Sequence, residues 1–411
     1  MKNYSIRDKC KINTNKDSDV FVGIKCENND ISIHFPLGFP ISPDDNVLRK
    51  DILLLISTIG ATTAKKESKV LDTGKEYNHT AFPIQAYMSV IHDFYDRGYY
   101  KENEIVHTVS KRGKINWSRT IKTQKACVQD GNVFYLDFVV KRNYINDNEL
   151  ITLIHEYCVY ESFSKIGWLF TGKMPAKPRL KYNEKLFRRV LTDKLSHTFN
   201  DKNGRLFRDM LAIVNYQGDK DSSGNFRYGT SKFEYVWEAL IDRVYGIKNK
   251  EVYFPRSIWY TDNGSRSNAR LKPDTIMIHD GDVYVLDAKY YKYGATRAVS
   301  DLPESTSINK QITYGEYIAT QKKFREIHGD DYKVYNAFLM PFNAMDQDGK
   351  SSGNILRIGE AVSEWKMNNQ AYERIQGILV DVRHLMKISV WEEKNEIMKL
   401  AECINPRGNK K

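Results

Sequence analysis

Two carboxylates and a lysine stand close together in the segment LKPDTIMIHDGDVYVLDAKYYKYG. Pro273-Asp274 opens one strand pattern, Asp280-Gly281 supplies a tight turn, and residues 282–291 form a second strand that carries Asp287-Ala288-Lys289. Side chains alternate along a strand, so Asp287 and Lys289 project to one face while Leu286 and Ala288 project to the other. Asp274, at the start of the partner strand, comes near Asp287. Such a trio suits phosphodiester hydrolysis. Hard carboxylate oxygens hold Mg²⁺, the metal polarises a phosphoryl oxygen and acidifies water, and a lysine supports developing negative charge. Asp274 and Asp287 are therefore assigned as metal ligands, with Mn²⁺ as an alternative ion. The Ala288 carbonyl is a candidate third oxygen, and Lys289 the group that orients or activates the attacking water. The plainer alternative is an ordinary hairpin with charges on its surface.

Elements on either side must hold that hairpin. Upstream, SKFEYVWEALIDRVYG places Phe233, Val236, Trp237, Leu240, Ile241 and Val244 on one helical stripe, as for a helix packed on a sheet. Glu234 and Glu238 lie one turn apart along its edge, and helical-wheel geometry favours Glu234 as the one facing the hairpin. Downstream, PESTSINKQITYGEYI puts Lys310, Gln311 and Tyr314 in the first turns of a helix capped by Ser305 or Ser307. Gln311 and Tyr314 share a side from which they could touch a scissile phosphate, although the polarity of a helix start explains them nearly as well. Residues 333–340 and 375–381 read as strands that complete a sheet. A second set with the same spelling, Pro43-Asp44 with Glu67-Ser68-Lys69, has a helix between its parts and cannot form a hairpin.

The first half reads as a mixture of helices and strands. Residues 31–35 alternate as a strand, and residues 47–97 give two packed helices, the first capped by Asp45 or Asn46. Between 104 and 140 the segments EIVHTV, KINWSRTI and VFYLDFVV read as strands, and 149–170 as a helix. KMPAKPRLK breaks that helix with two prolines, which places a domain boundary near 172–182. The expected organisation is an α+β domain over 1–175, suited to docking a partner, and an α/β domain over 176–411 with a mixed central sheet flanked by helices.

The charge balance is 63 Lys and Arg against 52 Asp and Glu, or +11, which favours a polyanionic partner, nucleic acid before membrane. Residues 52–64, the longest mostly apolar stretch, are too short to span a bilayer, and the polar start MKNYSIRDKCK lacks the apolar centre of a secretory signal. A cytoplasmic protein is expected. Five scattered cysteines without a C-x-x-C pair read as reduced thiols, and nine dispersed histidines without H-E-x-x-H argue against a zinc hydrolase. No Gly-Lys pair completes G-x-x-x-x-G-K-[ST], so nucleotide hydrolysis would have to come from another polypeptide. KRGKINWSRTIKTQK (111–125) carries six basic residues and no acid around Trp117. Its Lys111, Arg112, Lys114 and Arg119 suit phosphates or a partner's surface, unless the segment is simply a solvated strand face with Trp117 in the core.

The set Asp274, Asp287 and Lys289 resembles the PD-(D/E)xK nuclease superfamily. With FEYVWE, LKPDTI, VLDAKYY, INKQITYGEY and RGKINWSRTI, the resemblance narrows to the LlaJI family of restriction endonucleases, related to McrC nuclease subunits, over roughly 100–345. It implies a carboxy-terminal PD-(D/E)xK fold in which a glutamate of the preceding helix joins the metal site, and it favours Glu238 for that role. It also implies a Mg²⁺-dependent endonuclease on double-stranded DNA, working with an AAA+ GTPase subunit on which the amino-terminal half docks. Double-strand cutting further suggests dimerisation on DNA. Two other readings stand beside it: an autonomous sequence-specific restriction enzyme, and a non-catalytic DNA-binding or assembly protein that keeps a degenerate nuclease fold.

Overall fold

The computed structural model describes residues 6–16, 19–28, 30–65, 82–145, 149–218, 225–345, 353–366, 369–388 and 392–405. The chain divides into two compact units, one formed by Met1–Ala81 with Gly224–Lys411 and the other by Phe82–Ser223. It is a mixed α/β protein with several sheets. Among the described residues, no helix is long and apolar enough to cross a membrane.

The first unit is built on a five-stranded sheet in the order Thr275–His279, Asp282–Ala288, Val334–Phe342, Ile375–Asp381, Ile355–Ala361. The three inner strands run parallel and both edge strands antiparallel to their neighbours. Parallel neighbours need a crossover, and the helices Ser305–Thr320 and Lys322–His328 supply it between Asp282–Ala288 and Val334–Phe342. Inner strands covered on both faces read as continuous apolar runs, and eight of the nine residues of Val334–Phe342 are buried. Ile276, Val283, Val285 and Val334 pack with Tyr314, Ile318 and Phe324 of the crossover. The expected stripe of the helix Phe233–Tyr245 is buried throughout, and Trp237 Nε1 donates to Leu339 O at 3.1 Å, pinning helix to sheet.

A four-stranded sheet draws the amino-terminal segment into this unit. Its order is Cys10–Ile12, Asp30–Phe35, Val22–Glu27, Phe226–Thr230, and the last pair runs antiparallel from Val22↔Thr230 to Cys26↔Phe226. The Leu37 amide donates to Tyr290 Oη at 2.7 Å, and Arg383 Nε to Asp51 at 2.9 Å.

The helices Ile84–Arg97, Leu150–Ile166, Glu184–His197 and Asp201–Gly218 make the core of the second unit. Residue 175, where the sequence places a boundary, lies inside this unit. The Tyr157 and Tyr182 rings stack at 5.4 Å across it, and Arg179 pairs with Glu156 at 2.6 Å. KMPAKPRLK is a loop between helices that share one core. The two helices expected over 47–97 form as Asp45–Lys65 and Ile84–Arg97 but fall in different units, and Asp44, not Asp45 or Asn46, accepts the capping bond from the Asn46 amide. Residues 67–69 lie outside the described residues.

Local expectations fail at three places. KINWSRTI is a strand only at Lys114–Ile115, because Asn116 Oδ1 accepts from the Arg119 amide and starts a helix over Trp117–Thr123. VFYLDFVV splits between Asn132–Tyr135 and Val139–Ile145, which belong to different sheets. The helix Ser305–Thr320 takes Glu304 as its N-cap with no side-chain bond, so neither Ser305 nor Ser307 caps it.

Candidate active site

The hairpin is placed by its turn. Asp280 and Gly281 take φ values of 51° and 85°, the left-handed pair that matches the twist of two adjoining strands. The register runs from His279↔Asp282 to Thr275↔Leu286, and one further step sets Asp274 opposite Asp287. Residues directly opposite share a face, so both carboxyls project with Val283 and Val285 toward the crossover helix.

Asp287 is 6% exposed and its Oδ2 lies 2.7 Å from Lys289 Nζ. Asp274 Oδ2 accepts from the Ala288 amide at 2.9 Å, and the Asp274 carbonyl accepts from Lys250 Nζ. Burial, then the charges of Asp287 and Glu238, raise the Asp274 pKa to about 7, against the pull of the Ala288 amide. Asp274 thus keeps its proton to near neutrality. Burial opposes the charge on Lys289, but the Asp287 carboxylate outweighs it and the lysine pKa is raised. Lys289 is therefore an ammonium at pH 7.

The remaining expected residues separate. Glu238 is half-buried and its charge reaches Asp274, whereas Glu234 is exposed and its charge acts on Tyr290, not on Asp274. Gln311 is buried, and its Nε2 donates to Val285 O at 2.7 Å, two positions before Asp287, so it supports the strand. Tyr314 is also buried. Its hydroxyl donates to Lys272 O at 3.4 Å, and burial with the charges of Asp287 and Asp274 pushes its pKa up to about 12. Lys310 Nζ lies 5.7 Å from the Tyr314 ring centre. In the other unit, Lys111, Arg112, Lys114 and Arg119 are exposed, and Trp117, at 53% exposure, is not a core residue. The sequence reading missed Lys250, which bridges the Asp274 carbonyl to Asp242. It sits in the charged run KNKE, which offers no signal of a buried role.

Among the described residues, no three His, Cys, Asp or Glu side chains are grouped so as to hold a metal ion by themselves. The donors present are hard oxygens. Mg²⁺ binds through one or two carboxylates and keeps several waters, so this donor set suits it better than a metal that needs a closed protein cage.

The sequence profile of the LlaJI restriction endonuclease matches residues 21–356, and the chain belongs to that family. It is similar to the type II restriction enzyme BsuMI component YdjA of Bacillus subtilis (strain 168), 24% identical over 276 residues, 63% of this chain. The chain spans 58% of the length of that relative. Among solved structures it is similar to a refined half-complex from a tetradecameric assembly of Thermococcus gammatolerans McrB AAA+ hexamers with bound McrC. That match has a TM-score of 0.36 and 17% identity, over 94% of this chain and 83% of the other. A cryo-EM structure of the Thermococcus gammatolerans McrBC complex matches with a TM-score of 0.19 and 16% identity, over 48% and 58%. At such TM-scores neither superposition fixes the fold.

Proposed function

We propose that the chain is a Mg²⁺-dependent DNA endonuclease with a PD-(D/E)xK catalytic domain, the cleavage subunit of a GTP-dependent restriction complex of the McrBC type. One observation carries this reading: Asp274 and Asp287 face each other across a hairpin, with Lys289 paired to Asp287 and the charge of Glu238 reaching Asp274. Asp274, Asp287, Glu238 and the Ala288 carbonyl would hold the ion, and Mn²⁺ fits the same oxygens. A divalent cation relieves the repulsion that now keeps a proton on Asp274. When bound, Mg²⁺ supplies Lewis-acid polarisation of the phosphoryl oxygen and lowers the pKa of water.

Lys289, held as an ammonium by Asp287, orients the attacking water and stabilises charge on the phosphoryl oxygens; it is not the proton acceptor. Gln311 holds Val285, and through it the strand that presents Asp287. The substrate is double-stranded DNA, cut by two copies acting together. The partner is an AAA+ GTPase, as the family resemblance implies, and it would supply the nucleotide hydrolysis for which this sequence has no P-loop. The exposed Lys111, Arg112, Lys114 and Arg119 around Trp117 suit the unit Phe82–Ser223 to docking on it.

The test is cutting of supercoiled DNA by wild-type and Asp287→Ala chains, in Mg²⁺ or EDTA, with and without the GTPase encoded beside the gene plus GTP. Metal-dependent cutting that needs the GTPase and falls at least about 10³-fold in Asp287→Ala is expected. Cutting without the GTPase would make the chain an autonomous enzyme. Equal cutting by Asp287→Ala would remove the site.

A further inference from the structure

Immediately before Asp274 stands a two-stranded ribbon, Arg256–Thr261 paired with Gly264–Arg270, that has no core of its own. Every residue of Arg256–Thr261 is exposed, with Ile258 at 46%, Trp259 at 63% and Tyr260 at 78%. An isolated pair of strands is marginal in water, and a large indole left in solvent calls for a partner.

The register shows what the ribbon presents. Trp259 lies opposite Arg266 and Arg256 opposite Arg270, with an irregularity between Arg256 and Ile258. Alternation alone would put Arg256 and Trp259, three positions apart, on opposite faces. The extra residue lies on the facing strand, where Asn268 and Ala269 stand against Ser257 alone, so Arg256 stays on the face away from Trp259 and Arg270 stays with Arg256. One face therefore carries Arg256, Ile258, Tyr260, Ser265, Ser267 and Arg270, and the other carries Ser257, Trp259, Thr261 and Arg266. From 256 to 272 the only acid is Asp262, at the ribbon's tip.

The root of the ribbon is fixed next to the carboxyl pair. The Leu271 amide donates to Pro255 O at 2.8 Å, Arg270 Nη1 to Glu251 O at 2.9 Å, and the Tyr314 hydroxyl to Lys272 O. Three residues lie between Arg270 and Asp274, four steps of chain that reach at most about 14 Å. At 3.4 Å per step along one strand of duplex, that is within about four nucleotides.

We propose that this ribbon is the arm by which the chain grips duplex DNA beside the phosphate to be cut. Three guanidiniums and two aromatic rings, spread over both faces of a ribbon whose only acid is at its tip, complement a polyanion with apolar base edges, and a two-stranded ribbon has the width of a B-DNA major groove. The inference rests on the reading of the chain as a DNA endonuclease and names the element that holds its substrate.

The experiment measures binding of a fluorescent 30-base-pair duplex by the full chain in EDTA over a range of salt, alongside the cutting assay. Arg256→Ala with Arg266→Ala is expected to weaken binding about 10–100-fold and to lower the salt slope by about 2. Trp259→Ala weakens it about tenfold. All of these side chains are solvent-exposed, so the thermal midpoint serves as the check that each variant is folded. Binding that is absent in wild type, or unchanged in the arginine and tryptophan variants, overturns the ribbon while leaving Asp287-dependent cutting to judge the site. Loss of binding in those variants without Asp287-dependent cutting under any condition keeps the ribbon and removes the endonuclease.

Discussion

Among the places where the first unit buries carboxylates, two balance them in opposite ways. Asp51, on the helix Asp45–Lys65, is 1% exposed and faces two cations, Arg383 at 2.9 Å and Lys387 at 3.7 Å. Burial raises its pKa, and both cations pull it back. At the hairpin, Asp287 has Lys289 at 2.7 Å, but burial and then the charges of Asp287 and Glu238 bear on Asp274 against the pull of the Ala288 amide, so acid is in surplus around Asp274 and it keeps its proton to about pH 7. A buried acid that only ties elements together is best matched or exceeded by cations, since an uncompensated buried charge is costly. A surplus of buried acid is strain that a cation from solution can relieve, and it marks a site where residues face a ligand rather than one another.

The largest expected effects come from deleting one acid in each place. Asp287→Ala abolishes cutting, by at least about 10³-fold, with little loss of stability, because it also relieves the repulsion on Asp274. Asp51→Ala does the reverse: it strands the Arg383 guanidinium and costs about 3 kcal/mol, while the folded fraction cuts like wild type. Denaturant titration and cutting per folded molecule, measured on both, decide the matter. If Asp51→Ala also lost cutting at full stability, the division between tie and site would fail.

A smaller effect reads the surplus directly. A carboxyl whose folded pKa is near 7, against about 3.9 unfolded, holds its proton more tightly in the folded state. Its contribution to stability is thus full below about pH 4 and is lost as pH rises toward 7. Asp274→Asn keeps an oxygen for the Ala288 amide and removes this penalty. Above pH 7 it should be more stable than wild type by the order of 2–4 kcal/mol without Mg²⁺, with the gain absent at pH 4. It should not cut, whereas wild-type cutting rises between pH 6 and 8 as Asp274 sheds its proton. Identical pH profiles of unfolding for the two chains would show that the pair carries no surplus.

How much of this was legible in the sequence follows from how local each signal is. The hairpin was readable because Asp280-Gly281 and the alternation of 282–288 are short-range features, and the register they impose brings Asp274 to Asp287. The stripe of Phe233–Tyr245 was readable for the same reason. The choice between Glu234 and Glu238 was not, because it depends on how the helix rolls on the sheet, which the Trp237–Leu339 bond decides. Membership of the amino-terminal strands was also hidden, since the pairing of Val22–Glu27 with Phe226–Thr230 spans some 200 residues and leaves no local mark. The ribbon Arg256–Arg270 escaped notice because, exposed on both faces, it shows none of the apolar alternation by which strands are recognised.

Trp237 offers the smallest test, on the boundary between the two kinds of role. The Leu339 carbonyl accepts from two donors, Trp237 Nε1 at 3.1 Å and the Lys289 amide at 2.9 Å. Trp237→Phe keeps the buried ring and removes the indole donor. The Lys289 amide still satisfies the carbonyl, so the cost is that of one ordinary hydrogen bond and a small void, about 1–2 kcal/mol in denaturant titration. Glu238 follows Trp237 directly, so a roll of the helix would move that carboxylate relative to Asp274 before it disturbed the core. If cutting falls no further than stability does, the bond serves the fold alone. If cutting falls about tenfold or more while the midpoint barely moves, the indole acts as a positioning residue that sets the distance of Glu238 from the aspartate pair, and the surplus of acid is held in place by the helix as well as by the hairpin.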